Sequence, residues 1–295
     1  MNLEDYEILN GVNIQQKASL ERNEKTIDYT SSKKLTYVDI LNIKKGLDVI
    51  SEFYDVSAVS LISNTNIVAV ALEKTLNEAL IKAIEANPIE FINSYIFSSK
   101  EVDSDFVKML KDTNCIVAPA FTKNAVEYLE MHEICYITIK TPLKDYKQYL
   151  QNEVLNTPLG TLTQTPDLSE LNKETFKVAT KLKPTVEQIE DAVFAWKVAK
   201  HARTHAVVVA KDLKTSAINQ GNNINSVEQA LDFSCELAKE SILASDTELC
   251  VHDINAAVQC RISLIILPFA SNEIIALADK YNVSIITTGI NNILY

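Results

Sequence analysis

The sequence predicts an α/β protein built from layered, largely parallel sheets, and three features carry that prediction. Short apolar runs alternate with helical patterns along the chain, and the order of these elements recurs in the second half. In addition, Ala206-Val-Val-Val-Ala210 has no polar position, as expected of a strand covered on both faces in a parallel sheet. Alternation of this kind gives a sheet with helices on its faces.

Taken in order, Ile43, Leu47, Ile50 and Phe53 form an apolar stripe that predicts a helix from Asp39 to Phe53, followed by a strand at Ala58 to Leu61. Helices near Asn77 to Ala86 and Asp105 to Lys111 then alternate with strands near Asn93 to Phe97, Cys115 to Ala118 and Cys135 to Ile139. The second half repeats the scheme. Ile116-Val-Ala-Pro119, a helix over Lys123 to Glu130 and Tyr136-Ile-Thr-Ile139 are answered by Ile265-Ile-Leu-Pro268, a helix over Asn272 to Tyr281 and Ser284-Ile-Ile-Thr287. The helix and strand at 40–61 are answered by those at 186–210. A duplicated α/β unit accounts for this, with subdomains at 1–154 and 184–295 and a connector at 155–183. Thr157-Pro158, Thr165-Pro166 and Lys183-Pro184 mark that connector as mostly irregular.

Composition narrows the function classes. An apolar share of 47% and a charged share of 23% are those of a soluble globular protein. No apolar run reaches the roughly 20 residues of a membrane span, and the amino terminus is acidic where a signal peptide is basic, so a cytoplasmic protein is expected. Net charge of -11 opposes nucleic-acid and anionic-membrane binding. The five cysteines are odd in number and lack a Cys-x-x-Cys pair, so reduced core residues are expected and no metal site is suggested. Only five glycines occur, and of the 28 basic residues only Arg22, Arg203 and Arg261 are arginines, which leaves a phosphate site short of its usual materials.

One stretch stands out against the acidic background. From Phe194 to Asp212 the chain collects Lys197, Lys200, His201, Arg203, His205 and Lys211 around the end of a helix and the start of the buried strand. Pro184, Thr185 and Gln188 supply the helix entry with a capping box, and Ile189, Ala192, Val193, Trp196 and Ala199 give it one apolar stripe. The cationic cluster reads either as an anion site or as the solvated face of a helix.

Phe194-Ala-Trp-Lys-Val-Ala-Lys-His201, with the strand ending Ala210-Lys-Asp212, resembles the aminoimidazole carboxamide ribonucleotide (AICAR) transformylases, and the likeness continues in order along nearly the whole chain. That family forms the second domain of a bifunctional purine biosynthesis enzyme whose other domain is IMP cyclohydrolase, a domain without a counterpart in this sequence. The resemblance implies two cytidine-deaminase-like subdomains, a homodimer with sites between subunits, and formyl transfer from 10-formyltetrahydrofolate, a co-substrate rather than a tightly bound cofactor.

Residue by residue, the family motifs survive in part. The opening phosphate-binding motif appears as Leu9-Asn-Gly11-Val-Asn13-Ile-Gln-Gln16, keeping Asn13 and Gln16 but not its arginine. The Lys-His pair assigned to proton transfer is replaced by Ile62 and Ser63, neither of which titrates near neutral pH. A glycine pair that lies close to substrate becomes Asn93-Ser94. In the central motif Arg203-Thr204-His205 puts a histidine where the family has a catalytic asparagine, which makes His205, with Lys200, the candidate catalytic residue. Gly221, Asp246 and Gly289 match substrate-side positions, and together with Arg203 and Thr204 they complete the candidate binding set; the closing arginine of the family is lost within Asn291-Asn292. Two readings follow: a diverged transformylase-type enzyme of weak or absent activity binding nucleotide and folate, or a non-catalytic homologue that acts through the family's dimer surface, with itself or an intact relative.

Overall fold

The computed structural model describes residues 5–7, 10–110, 115–171, 176–221 and 225–295. Its centre is a twelve-stranded mixed sheet. From one edge the strands run Lys177–Val178, Ser284–Thr287, Leu264–Leu267, Ile242–Ser245, Val207–Lys211, Lys214–Asn219, Asn66–Glu73, Ser57–Ser63, Tyr95–Ser98, Cys115–Ala118, Tyr136–Ile139 and Tyr29–Ser31.

The pairing directions read the same from either edge. The two outermost pairs are antiparallel, the next two on each side parallel, and the central five antiparallel. This palindrome confirms the duplicated order and places its pseudo-symmetry between Asn66–Glu73 and Lys214–Asn219. The prediction of a parallel setting for Ala206 to Ala210 needs correction: Val207–Lys211 is buried on both faces, yet antiparallel to both neighbours. A continuous apolar run reports coverage of both faces and carries no information on the direction of the partners.

Each half contains a hairpin whose second strand the sequence does not announce. Its turns are Asn64-Thr65 and Asp212-Leu213, all four residues with positive φ near 50–60° and none of them glycine. Two-residue hairpin turns of this hand favour Asn-Gly or Asp-Gly, so the usual signal is missing. The helices replace it with side-chain support. Asn42 accepts from the Thr65 amide at 2.8 Å, and Asp191 accepts from the Asp212 and Leu213 amides at 3.0 and 2.7 Å. Asn42 and Asp191 occupy the same place in their helices, each six residues after the N-cap threonine.

Those helices, Tyr37–Ile50 and Val186–His201, lie together on one face of the sheet and share a core that spans both halves. The first begins two residues before the predicted Asp39 because Thr36 caps it, with Asp39 answering in a capping box, and it continues as the 3₁₀ turn Ser51–Phe53. The second has the capping box predicted for Thr185 and Gln188. On the opposite face each half has its own layer: Leu76–Ala86, Ser104–Lys108 and Lys123–Met131 in the first, Ser226–Ser234, Val251–Gln259 and Asn272–Tyr281 in the second.

The connector at 155–183 is mostly irregular among its described residues, with the larger part of an antiparallel hairpin, Glu153–Thr157 with Gly160–Gln164, and the edge strand Lys177–Val178 set into it. One further expectation changes. The cysteines are not all reduced: Cys115 and Cys135 form a disulfide, while Cys235, Cys250 and Cys260 are free. Parallel register sets Ile116 beside Tyr136 and thereby brings the two preceding cysteines together, a proximity that spacing along the chain does not reveal. Among the described residues no helix is long and apolar enough to cross a membrane.

Gly46 is where the shared layer is tightest, since a β-carbon there would stand 2.1 Å from the Phe97 ring. Gly46→Ala is expected to destabilise the fold by about 2 kcal/mol despite alanine's better helix propensity, because overpacking a closed core outweighs a gain of about 1 kcal/mol. A urea unfolding midpoint at or above that of the parent protein would contradict this.

Candidate functional site

The six cationic residues of the central stretch divide into three groups. Lys197, Lys200 and His201 turn towards the first half of the chain and meet Glu52, in the 3₁₀ turn after the first helix. Arg203 and His205 stay on the turn that leads into Val207–Lys211. Lys211 leaves for Glu240 at 3.4 Å on the surface.

Glu52 is a buried carboxylate, its side chain 8% exposed. His201 Nε2 stands 3.2 Å from its Oε1, Lys147 3.3 Å and Lys200 3.6 Å, and Lys197 donates to the Glu52 carbonyl at 2.8 Å. Burial alone would raise this carboxyl, but the His201 hydrogen bond and the charges of His201, Lys200 and Lys147 outweigh it and bring the group to about 2. Lys200 also donates to the Ser169 carbonyl. The candidate catalytic Lys200 is therefore committed to Glu52 and Ser169, whereas His205 meets Thr247.

The turn itself gathers five of the candidate residues. Thr204 N–H donates to the Leu294 carbonyl at 2.8 Å, and Gly221 N–H donates to the Arg203 carbonyl at 3.0 Å. Arg203 Nη2 donates to Asn66 Oδ1 at 3.1 Å, with its guanidinium against Gly221, whose positive φ and lack of a side chain suit that approach. Asp246 Oδ1 accepts from the Ala206 amide at 2.8 Å, while its Oδ2 is buried without a hydrogen-bond partner among the described residues. Burial raises the Asp246 carboxyl above its usual range. His205 Nδ1 stands 3.3 Å from Thr247 Oγ1.

The remaining candidates lie apart. Asn13 and Gln16 bond to each other in an exposed loop, the Asn13 amide and Nδ2 donating to Gln16 Oε1 at 2.9 and 3.0 Å. Gly289 has φ of 68° and donates its N–H to the Pro268 carbonyl at 2.9 Å. Asn292 is buried and binds Asp167 Oδ2 and Ser169 Oγ, both at 2.7 Å. Leu9, Lys111 and residues 222–224 of the matched segments lie outside the described residues.

Ile62 is wholly buried in the core, whereas Ser63 opens into a polar cleft of about 310 Å³. Asn42, Asn64, Asn93 and Tyr95 line this cleft with the capping pair Thr36 and Asp39. Asp39 is saturated, accepting from Lys33, from the Thr36 amide and hydroxyl, and from the Tyr95 hydroxyl. Sequence reasoning marks Ser63 and Asn93 as replaced site positions but misses the amides around them, because Asn42 and Asn64 look like ordinary helix and turn residues. Lys45 is also missed. It donates to the His201 carbonyl at 2.8 Å, and burial, with Lys44 and Arg203 nearby, lowers its ammonium to about 8 despite Asp48.

Glu52→Gln is expected to cost about 3 kcal/mol, since it leaves the buried Lys200 ammonium without its counter-charge and His201 without its carboxylate partner. Glu52 has its folded value below its ordinary 4.5. The stability it contributes is thus complete above about pH 4.5 and is lost as pH falls through about 2. Urea unfolding of the parent and variant between pH 2 and 7 checks both statements; equal stabilities at pH 7 would contradict them.

A family model described as AICARFT/IMPCHase bienzyme matches residues 3–232. The chain is 29% identical over 269 residues to the bifunctional purine biosynthesis protein PurH of Anoxybacillus flavithermus, covering 88% of this chain and 52% of that protein. It is 31% identical over 299 residues to PurH of a Thermoanaerobacter species, covering 96% and 57%. With PurH of Caldicellulosiruptor saccharolyticus it shares 32% identity over 268 residues, covering 88% and 52%. The chain thus spans about half the length of the curated relatives it matches. The match over residues 3–232, with a mixed α/β sheet of duplicated units, shows that the chain belongs to the AICARFT/IMPCHase bienzyme family.

Proposed function

We propose that this chain is a diverged AICAR transformylase homologue in which formyl transfer is weak or absent. The observation that carries the proposal is the commitment of Lys200 and His201 to Glu52, on a chain whose positions for the family's proton-transfer pair hold Ile62 and Ser63. A reaction that needs an acid–base group near neutral pH loses about 10²–10⁴-fold without one. Of the three arginines, Arg22 stacks on the Tyr29 ring, Arg203 is bonded to Asn66 and Arg261 sits in a turn of positive φ. A ribonucleotide phosphate would therefore meet Arg203 without a second guanidinium beside it. His205, 3.3 Å from Thr247, shares the turn with Asp246, whose carboxyl burial raises, and with Lys45 bonded to the His201 carbonyl, and Arg203, Thr204, Gly221 and Asp246 are the residues placed to bind around it.

The second reading, a non-catalytic partner that works through a dimer surface with a copy of itself or an intact relative, is favoured by the hairpin at 153–164. Val154, Leu155 and Leu162 are about 60% exposed there and Leu159 is wholly exposed, an unusual share of leucine for a two-stranded ribbon in water.

A coupled assay with 10-formyltetrahydrofolate and AICAR is expected to give turnover at least about a hundredfold below that of an intact family enzyme. Addition of AICAR, IMP or folate at millimolar concentration is expected to leave the melting temperature unchanged. Turnover comparable with an intact enzyme, or a melting shift of several degrees, would overturn the proposal.

A further inference from the structure

The cationic stretch that the transformylase reading does not absorb opens onto a cleft of its own. The cleft, of about 310 Å³, lies between the 3₁₀ turn at Ser51–Phe53, the 3₁₀ segment Leu143–Tyr149 and the last turns of Val186–His201. Lys144 and Lys147 enter from one side, Lys197 and Lys200 from the other, and the indole of Trp196 forms part of the wall. Four lysines from two separate elements thus line one concavity together with three carboxylate residues, Glu52, Asp55 and Glu170, a local excess of positive charge in a protein of net charge -11.

Their contacts are uneven. Lys200 is buried and fixed by the Ser169 carbonyl and Glu52. Lys197 spends one of its three donors on the Glu52 carbonyl, and its ammonium lies 5.3 Å from the centre of the Phe53 ring. Lys147 is shared between buried Glu52 and Glu170, whose carboxylate is 2.9 Å away and 72% exposed. An ion pair that exposed is weak and exchanges readily for another anion. Glu170 thus stands where the carboxylate of a ligand would stand.

We propose that this cleft is a binding site for a small oxyanion, a carboxylate or a phosphate, which displaces the Glu170 side chain from Lys147 and takes donors from Lys144, Lys147 and Lys197 beside the Trp196 indole. The site is separate from the turn at Arg203–His205 and does not depend on whether formyl transfer survives. Glu52 is not displaced, because it is buried and held by three cationic groups, whereas Glu170 has one partner near the surface.

Trp196 is the one tryptophan of the chain and lines this cleft from the buried core, so its fluorescence is a reporter of binding here, read together with the variants. Inorganic phosphate and succinate are titrated separately into the full chain at constant ionic strength. At least one is expected to give a saturable change in emission; a response to phosphate alone identifies a phosphate-type ligand, and a response to succinate alone a carboxylate. E170Q is expected to lower the half-saturating concentration by about tenfold, since the internal competitor loses its charge, and K147M to abolish the response. Circular dichroism verifies that K147M folds; if it does not, K144M, whose side chain is exposed, is expected to raise the half-saturation instead. Absence of a saturable change with both anions in the parent protein and in E170Q overturns the proposal. So does a response that is unaltered in E170Q, in folded K147M or in the substituting K144M.

Discussion

A carboxylate removed from water must find enough positive charge and hydrogen bonding to stay ionised, and Glu52 meets that requirement with groups from two other parts of the chain. Lys147 comes from the 3₁₀ segment near the end of the first half, and Lys200 and His201 from the end of the second half's first helix. The same contacts bring the helices Tyr37–Ile50 and Val186–His201 together over the sheet, where Gly46 lets Phe97 come close. Architecture and charge distribution therefore have one origin. The cations that make the central stretch conspicuous are largely consumed in holding the two halves of the molecule to each other.

That economy shapes what is left for chemistry. The turn from Arg203 to His205 is held by backbone bonds to Leu294 and Gly221 and by Asp246 beneath it, so it is well ordered without being rich in free charge. The cleft at Ser63 is lined by amides and hydroxyls, with its one internal carboxylate fully engaged. Both places are polar and shaped, yet neither gathers the guanidinium groups that a phosphate ester calls for. Family membership brings the reaction into consideration, and the proposed attenuation rests on these local residues.

Much of the fold is legible in the sequence where a local pattern and its cause coincide. The capping box at Thr185 and Gln188, the stripe through Trp196 and the matched pairs of strands at 116–139 and 265–287 are all local, and the structure contains them. The hairpin strands Asn66–Glu73 and Lys214–Asn219 are not announced, because their turns lack glycine and draw support from Asn42 and Asp191, residues more than twenty positions away. The direction of the central pairings and the meeting of Cys115 with Cys135 are likewise set by register, which composition does not carry. At the candidate site the positions are legible but their partners are not. Glu52 lies 148 residues before Lys200, and nothing in its own neighbourhood marks it as the counter-ion of the cationic stretch.

The central claim is that the conspicuous cations are bound inward to one buried carboxylate. Carbon-13 NMR of the Glu52 carboxyl across an acid titration tests it most directly. The account predicts a resonance that stays in its ionised position until the pH approaches about 2. A midpoint at the ordinary glutamate value of about 4.5 would mean that Lys147, Lys200 and His201 are not engaged with Glu52, and would contradict the account.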